Sequence, residues 1–141
     1  MTEPAYLDDE DRRRRRLFAR TEAWLYAVPD WVAELRAEPG YPVSFELDEL
    51  PNDRTFRVVR PTEREGVNRA ELARRLSMIL VVYRRLSPAE QRFVQLRYWT
   101  QRDGAGLSHL QIARELRVHR NTVSNMRQRV VEEFMRGLFG V

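Results

Sequence analysis

The stretch from Ser108 to Asn125 constrains this chain most, because its apolar residues keep helical spacing on both sides of a break too short for anything but a tight corner. Leu110, Ala113 and Leu116 fall on one side of a first helix, and Ala113 is small enough for a second helix to cross closely above it. Val118 and Val123 close the corner. Beyond it, Val123, Met126, Val130, Phe134 and Leu138 recur at three- and four-residue steps, so one stripe of the second helix is expected to be buried. Two helices joined by a turn of about three residues are therefore expected, over about residues 108–138.

The face opposite that stripe has a distinct chemistry. At about 100° per residue, Asn121, Ser124, Asn125 and Gln128 point away from the buried side. All are uncharged, and all donate and accept hydrogen bonds. Such side chains suit base edges in the major groove, Asn and Gln being matched to adenine in bidentate contact. Arg117, Arg120 and Arg129 lie at the flanks, where phosphate contact and a solvated surface position are equally ordinary uses. Arg127 lies about 40° from Val123, near the stripe, so an internal ion pair competes with DNA contact.

Charge follows the same division. Residues 67–141 hold 14 Arg against six acids, whereas residues 1–66 hold 11 Arg against 15 acids, so a basic half at +8 follows an acidic half at −4. The basic half contains the two-helix segment, and a phosphate backbone is the commonest partner of such a surface. A run of five arginines, Arg12 to Arg16, follows the acids Asp8, Asp9, Glu10 and Asp11. A basic arm on DNA is one use of that run; a solvated helix face, paired with its own acids, is the commoner one.

The chain is expected to be mainly α-helical. Leu17, Thr21, Trp24, Leu25 and Val28 give residues 8–27 a helical pattern, with Pro29 expected to end it and a short helix to follow over 30–37. Alternation of Val43, Phe45 and Leu47, then Phe56 and Val58, around Pro51-Asn52-Asp53 suggests a small β-hairpin within residues 43–59. Asn68 with Glu71, Ser87-Pro88-Ala89-Glu90, and Ser108 with Gln111 are capping-box patterns that should each start a helix. Leu72, Leu76, Ile79, Leu80, Tyr83 and Leu86 continue the first of these, and Phe93, Val94, Leu96, Arg97 and Tyr98 lie on the second. Residues 103–106 read as a loop. The division that follows is an accessory segment, 1–66, and a helical DNA-binding domain, 67–141, the latter expected to fold alone. Trp24, Tyr26 and Trp31 are candidates for packing or for a partner contact.

Residues 86–134 carry Leu86-Ser87-Pro88-Ala89-Glu90-Gln91, Leu96-Arg97-Tyr98, Gln111-Ile112-Ala113 and Thr122-Val123. This part resembles region 4 of sigma-70-type factors, and more specifically the RinA/ArpU-type phage late-gene transcriptional regulators. In that family a short N-terminal helical segment precedes a long helix and a C-terminal sigma-region-4-like helix-turn-helix, and the resemblance implies that residues 20–31 and 68–138 would fill those roles here. The resemblance implies an activator of phage late genes that binds promoter-proximal double-stranded DNA and works with bacterial RNA polymerase. It places the start of the base-reading helix near Arg120. The family usually has Ser or Thr where this chain has His119, a poorer cap, so a one-residue shift of the helix start is expected, with the imidazole free to approach a phosphate.

The candidate DNA-contacting set is therefore Arg117, His119, Arg120, Asn121, Ser124, Asn125, Gln128 and Arg129. Enzyme chemistry is not expected. The two histidines, His109 and His119, lie in or beside the two-helix segment, there is no cysteine, and no carboxylate cluster has metal-ligand spacing. No cofactor is implied. The absence of any apolar signal-type segment points to a chain in the cytoplasm of a bacterial host, with no membrane partner. A second copy of the chain is a further candidate partner. Two rival functions stand beside transcriptional activation: a small terminase-like subunit that recognises a packaging site, and an RNA-polymerase-binding inhibitor or antiterminator that does not read DNA.

Overall fold

Pro29 removes one backbone donor from the middle of an apolar helical stripe, yet the helix does not stop there. In the computed structural model, which describes residues 5–37, 68–102 and 105–141, helix α1 runs unbroken over Ala5–Ala37. A proline inside a helix leaves the carbonyl four residues earlier without its usual donor. Here that carbonyl belongs to Leu25, and the indole Nε1 of Trp99 donates to it at 3.1 Å in the protein interior. The two helices expected on either side of Pro29 are thus one, because a side chain from a distant element supplies the missing bond.

Helix α2, Arg69–Arg85, begins where Asn68 accepts from the Glu71 backbone N–H, and its Leu72, Leu76, Ile79, Leu80, Val82 and Tyr83 are buried. Within the apolar run from Met78 to Tyr83 only Val81 is exposed, at 47%, so this helix is buried on more than one side. Helix α3, Pro88–Val94, starts at the reciprocal Ser87–Glu90 box with proline in its first turn. It then widens into a π-helical stretch, Gln95–Trp99. Leu96, Tyr98 and Trp99 of this stretch are all buried. A two-residue antiparallel ladder follows, Gln101 opposite Gly106 and Arg102 opposite Ala105, where the sequence reads as loop. Gly106 leaves no room for a side chain: a Cβ there would lie 1.9 Å from the Arg97 carbonyl oxygen.

Helices α4, His109–Leu116, and α5, Arg120–Phe139, complete the chain. The fold is mainly α. Helix α5 packs on α1, α2, α3 and α4, and a Cβ on its Gly137 would meet the Val82 side chain at 2.3 Å, so α2 and α5 approach closely there.

One hydrophobic core joins the five described helices, and α1 is as much a part of it as any other. Trp24, Leu25, Val28, Trp31, Val32 and Leu35 are each no more than 8% exposed. The boundary at residue 66 therefore separates charge and composition but not cores. Trp24 packs edge-on against Trp31 and Phe139, and Tyr26 against Tyr98, so these aromatics serve packing. The hairpin expected within residues 43–59 lies outside the described residues. No helix among those described is long and apolar enough to cross a membrane.

Candidate nucleic-acid interface

Ser108 sets the first helix of the corner. Its hydroxyl accepts from the Gln111 N–H, and the Gln111 side-chain oxygen Oε1 accepts from the Ser108 N–H at 2.8 Å. Leu107 and Ile112, which flank this cap, are both buried, as a hydrophobic staple requires. Ile112 and Ala113 form the buried side of α4. Leu110, expected to share it, is instead 51% exposed. Helix α4 is only two turns long, and its packed side centres on Ile112 and Ala113, leaving Leu110 beyond the edge.

The corner consists of Arg117, Val118 and His119. Arg117 takes the left-handed conformation, φ 58°, a state that costs an L-residue with a Cβ roughly 1–2 kcal/mol relative to glycine. The bond from the Val118 N–H to the Ala113 carbonyl, 3.0 Å, closes the turn. His119 then caps α5: its Nδ1 accepts from the Asn121 N–H at 3.0 Å, and the helix starts at Arg120 without a shift. An imidazole lone pair thus does what the hydroxyl of Ser or Thr would do. This bond requires Nδ1 to be unprotonated.

On α5, Val123, Met126, Val130, Phe134 and Leu138 are buried as their spacing predicts, and Asn121, Ser124, Asn125 and Gln128 are exposed. The four polar side chains are not equivalent. Asn121, Asn125 and Gln128 present their amides to solvent, while the Ser124 hydroxyl lies 3.3 Å from His109 Nδ1 on α4. Burial first, then the neighbouring Arg97 and Arg127 charges, lower the His109 pKa, so its ring stays neutral beside Ser124.

The flanking arginines also divide. Arg114, Arg117 and Arg120 are exposed and form no ion pair with any described residue; with Leu110, Ala113, Val118 and His119 they line a shallow open concavity beside the corner. Arg114 was not among the candidates from sequence. Its relation to Arg117, three residues on and on the same helical side, is the signal that marks it. Arg129 is exposed but engaged, its Nε donating to Glu90 at 2.8 Å. That bond ties α5 to the cap of α3, since Glu90 also accepts from Ser87.

Arg127 takes the internal one of its two readings. Its guanidinium donates two bonds to Glu22 of α1, at 2.6 and 2.9 Å, and lies over the Phe18 ring. The Tyr98 hydroxyl donates to the same carboxylate. Glu22 is the residue that sequence reading missed, and the available signal was an acid placed between the buried positions Thr21, Trp24 and Leu25. Burial alone would raise its pKa; the bonds from Arg127 and Tyr98 more than offset this and hold it below the usual carboxylate range.

A carboxyl depressed in the folded state stabilises the fold fully above its unfolded pKa, near 4.5, and loses that contribution as pH falls through the lower folded value. The thermal stability of the full chain should therefore fall below about pH 4.5, and Glu22→Gln should flatten part of that acid limb while lowering stability at neutral pH. An unchanged acid limb in the variant would remove Glu22 from the account.

Compared with family models, curated proteins and solved structures, the chain matches none.

Proposed function

We propose that this protein binds double-stranded DNA in a sequence-specific manner and regulates transcription, as an activator of phage late genes acting with RNA polymerase in the bacterial cytoplasm. The observation that carries the reading is the outer face of α5: the exposed amides of Asn121, Asn125 and Gln128, with the exposed Arg114, Arg117 and Arg120 clustered at its N-terminal end. Amides supply base discrimination and arginines supply phosphate attraction. The seat of α5 is fixed by the core and by the Glu22–Arg127 pair, so its outer face is held in one orientation. The role in activation follows from the sigma-region-4 and RinA/ArpU resemblance, not from the geometry.

A footprint of the full chain across the encoding genome should locate its site. On that site, Asn125→Ala and Gln128→Ala should each cost about 1–3 kcal/mol, relax base preference at one position, and leave nonspecific binding nearly unchanged. Wild-type discrimination in both variants would show that α5 does not face the groove. A second reading is favoured by Leu110 and Val118, which stand exposed beside Arg114 and Arg117. An apolar pair among cations fits a protein surface better than a phosphate backbone, and polymerase binding without any DNA binding at low salt would select the non-DNA-reading inhibitor or antiterminator.

A further inference from the structure

The arginine run of α1 has no part in the reading above, and its place in the fold is specific. Helix α1 is pinned across α5 by the Arg14–Glu132 ion pair at 2.6 Å, by Phe18 under the Arg127 guanidinium, and by the Glu22–Arg127 pair. These contacts bring Asp11, Arg14, Arg15 and Phe18 of α1 together with Arg127 and Gln128 of α5 around one open groove. Gln128 belongs to the polar outer face of α5. The run is therefore attached beside the reading face as a fixed ridge.

Helix geometry sorts the arginines. At about 100° per residue, Arg12 and Arg16 fall within about 100° of Arg15, away from the packed positions 14, 18 and 22, whereas Arg13 lies on the far side, near Val141. Arg12 and Arg16 are exposed and form no ion pair with any described residue. Among the described residues Arg15 is paired only with Asp11, 2.7 Å away, in a contact with side chains 78% and 56% exposed. An exposed pair of that kind is worth little and exchanges readily for a phosphate. Arg120 and Gln128 are separated by about 12 Å along α5, comparable to the width of the major groove, so cations at the two ends of the reading face fall on different phosphates.

We infer that Arg12, Arg15 and Arg16 of α1 form a second phosphate-binding ridge, which holds the DNA backbone at the Gln128 end of α5 while Arg114, Arg117 and Arg120 hold it at the other. The inference rests on the DNA-binding reading of α5 and extends its footprint to a helix outside the two-helix segment. Asp11 limits the ridge by competing with phosphate for Arg15.

The test is DNA affinity of the full chain over a salt series, for wild type, for the triple variant Arg12→Ala, Arg15→Ala, Arg16→Ala, and for Asp11→Asn. Alanine at exposed helical positions preserves the helix, which circular dichroism checks. Each lost phosphate contact lowers the slope of log affinity against log salt by about 0.9, so the triple variant should lose about 2 to 3 of slope while keeping the wild-type ratio between specific and nonspecific sites. Asp11→Asn should bind severalfold more tightly at low salt. A folded triple variant with the wild-type slope overturns the ridge and leaves the α5 reading standing. If wild type shows salt-sensitive binding but no site preference, base reading fails, and the slope difference still decides the ridge. No salt-sensitive binding by wild type overturns both.

Discussion

A chain lacking residues 1–66 is expected not to fold. The change of charge sign near residue 66 and the three caps beyond it suggest the opposite, an independent DNA-binding domain in 67–141. The packing decides against it. Removing α1 strips the core of Trp24, Leu25, Val28, Trp31, Val32 and Leu35, and leaves Tyr98, Trp99 and Phe139 without the ring and backbone groups they contact. Burial of one large apolar side chain contributes about 1.5–3 kcal/mol, so six amount to roughly 10 kcal/mol or more. A domain's whole stability is only about 5–15 kcal/mol. The loss also strands polar groups: the Trp99 indole N–H loses the Leu25 carbonyl, and Arg127 and the buried Tyr98 hydroxyl both lose Glu22. Thermal melts of the fragment by circular dichroism should show no cooperative transition, and it should expose apolar surface to a fluorescent dye. A cooperative melt near that of the full chain would mean that α1 is an appendage after all.

What the sequence disclosed and what it hid have separate physical causes. Local signals were legible because they act within four residues: the Asn68, Ser87 and Ser108 caps, the α5 stripe, and the corner between α4 and α5 all stand where spacing places them. Features decided by distant partners were not. Whether Pro29 ends a helix depends on a donor for the Leu25 carbonyl, and that donor is 74 residues away in Trp99. The engagement of Arg127 depends on Glu22, 105 residues away, and that of Arg129 on Glu90. Of the eight candidate contact residues, the amides are exposed as expected, while His119 acts as a cap, Ser124 leans on His109 and Arg129 is tied to α3. Leu110 shows the limit of periodicity itself, since a two-turn helix packs only its central positions.

Leu80→Ala should separate the stability of the fold from the chemistry of its reading face. Leu80 is 2% exposed between Ile79 and Val82, inside the one core shared by the five described helices. Truncating it removes about three carbons and leaves a cavity that close-packed neighbours fill only in part, a change that costs about 2–5 kcal/mol for leucine. The adjacent Val81, 47% exposed, is the internal control: Val81→Ala removes atoms that face water and should stay within about 0.5 kcal/mol of wild type. Helix propensity favours alanine at both positions, so it cannot account for a loss at one and not the other. Denaturant midpoints at constant slope check the pair. Where both variants are fully folded, neither should alter the affinity or salt slope for the specific site, because α2 presents none of the amides or arginines of the proposed interface. Similar midpoints for the two variants would place residues 80 and 81 in equivalent surroundings, and α2 would then be a surface helix available to a partner.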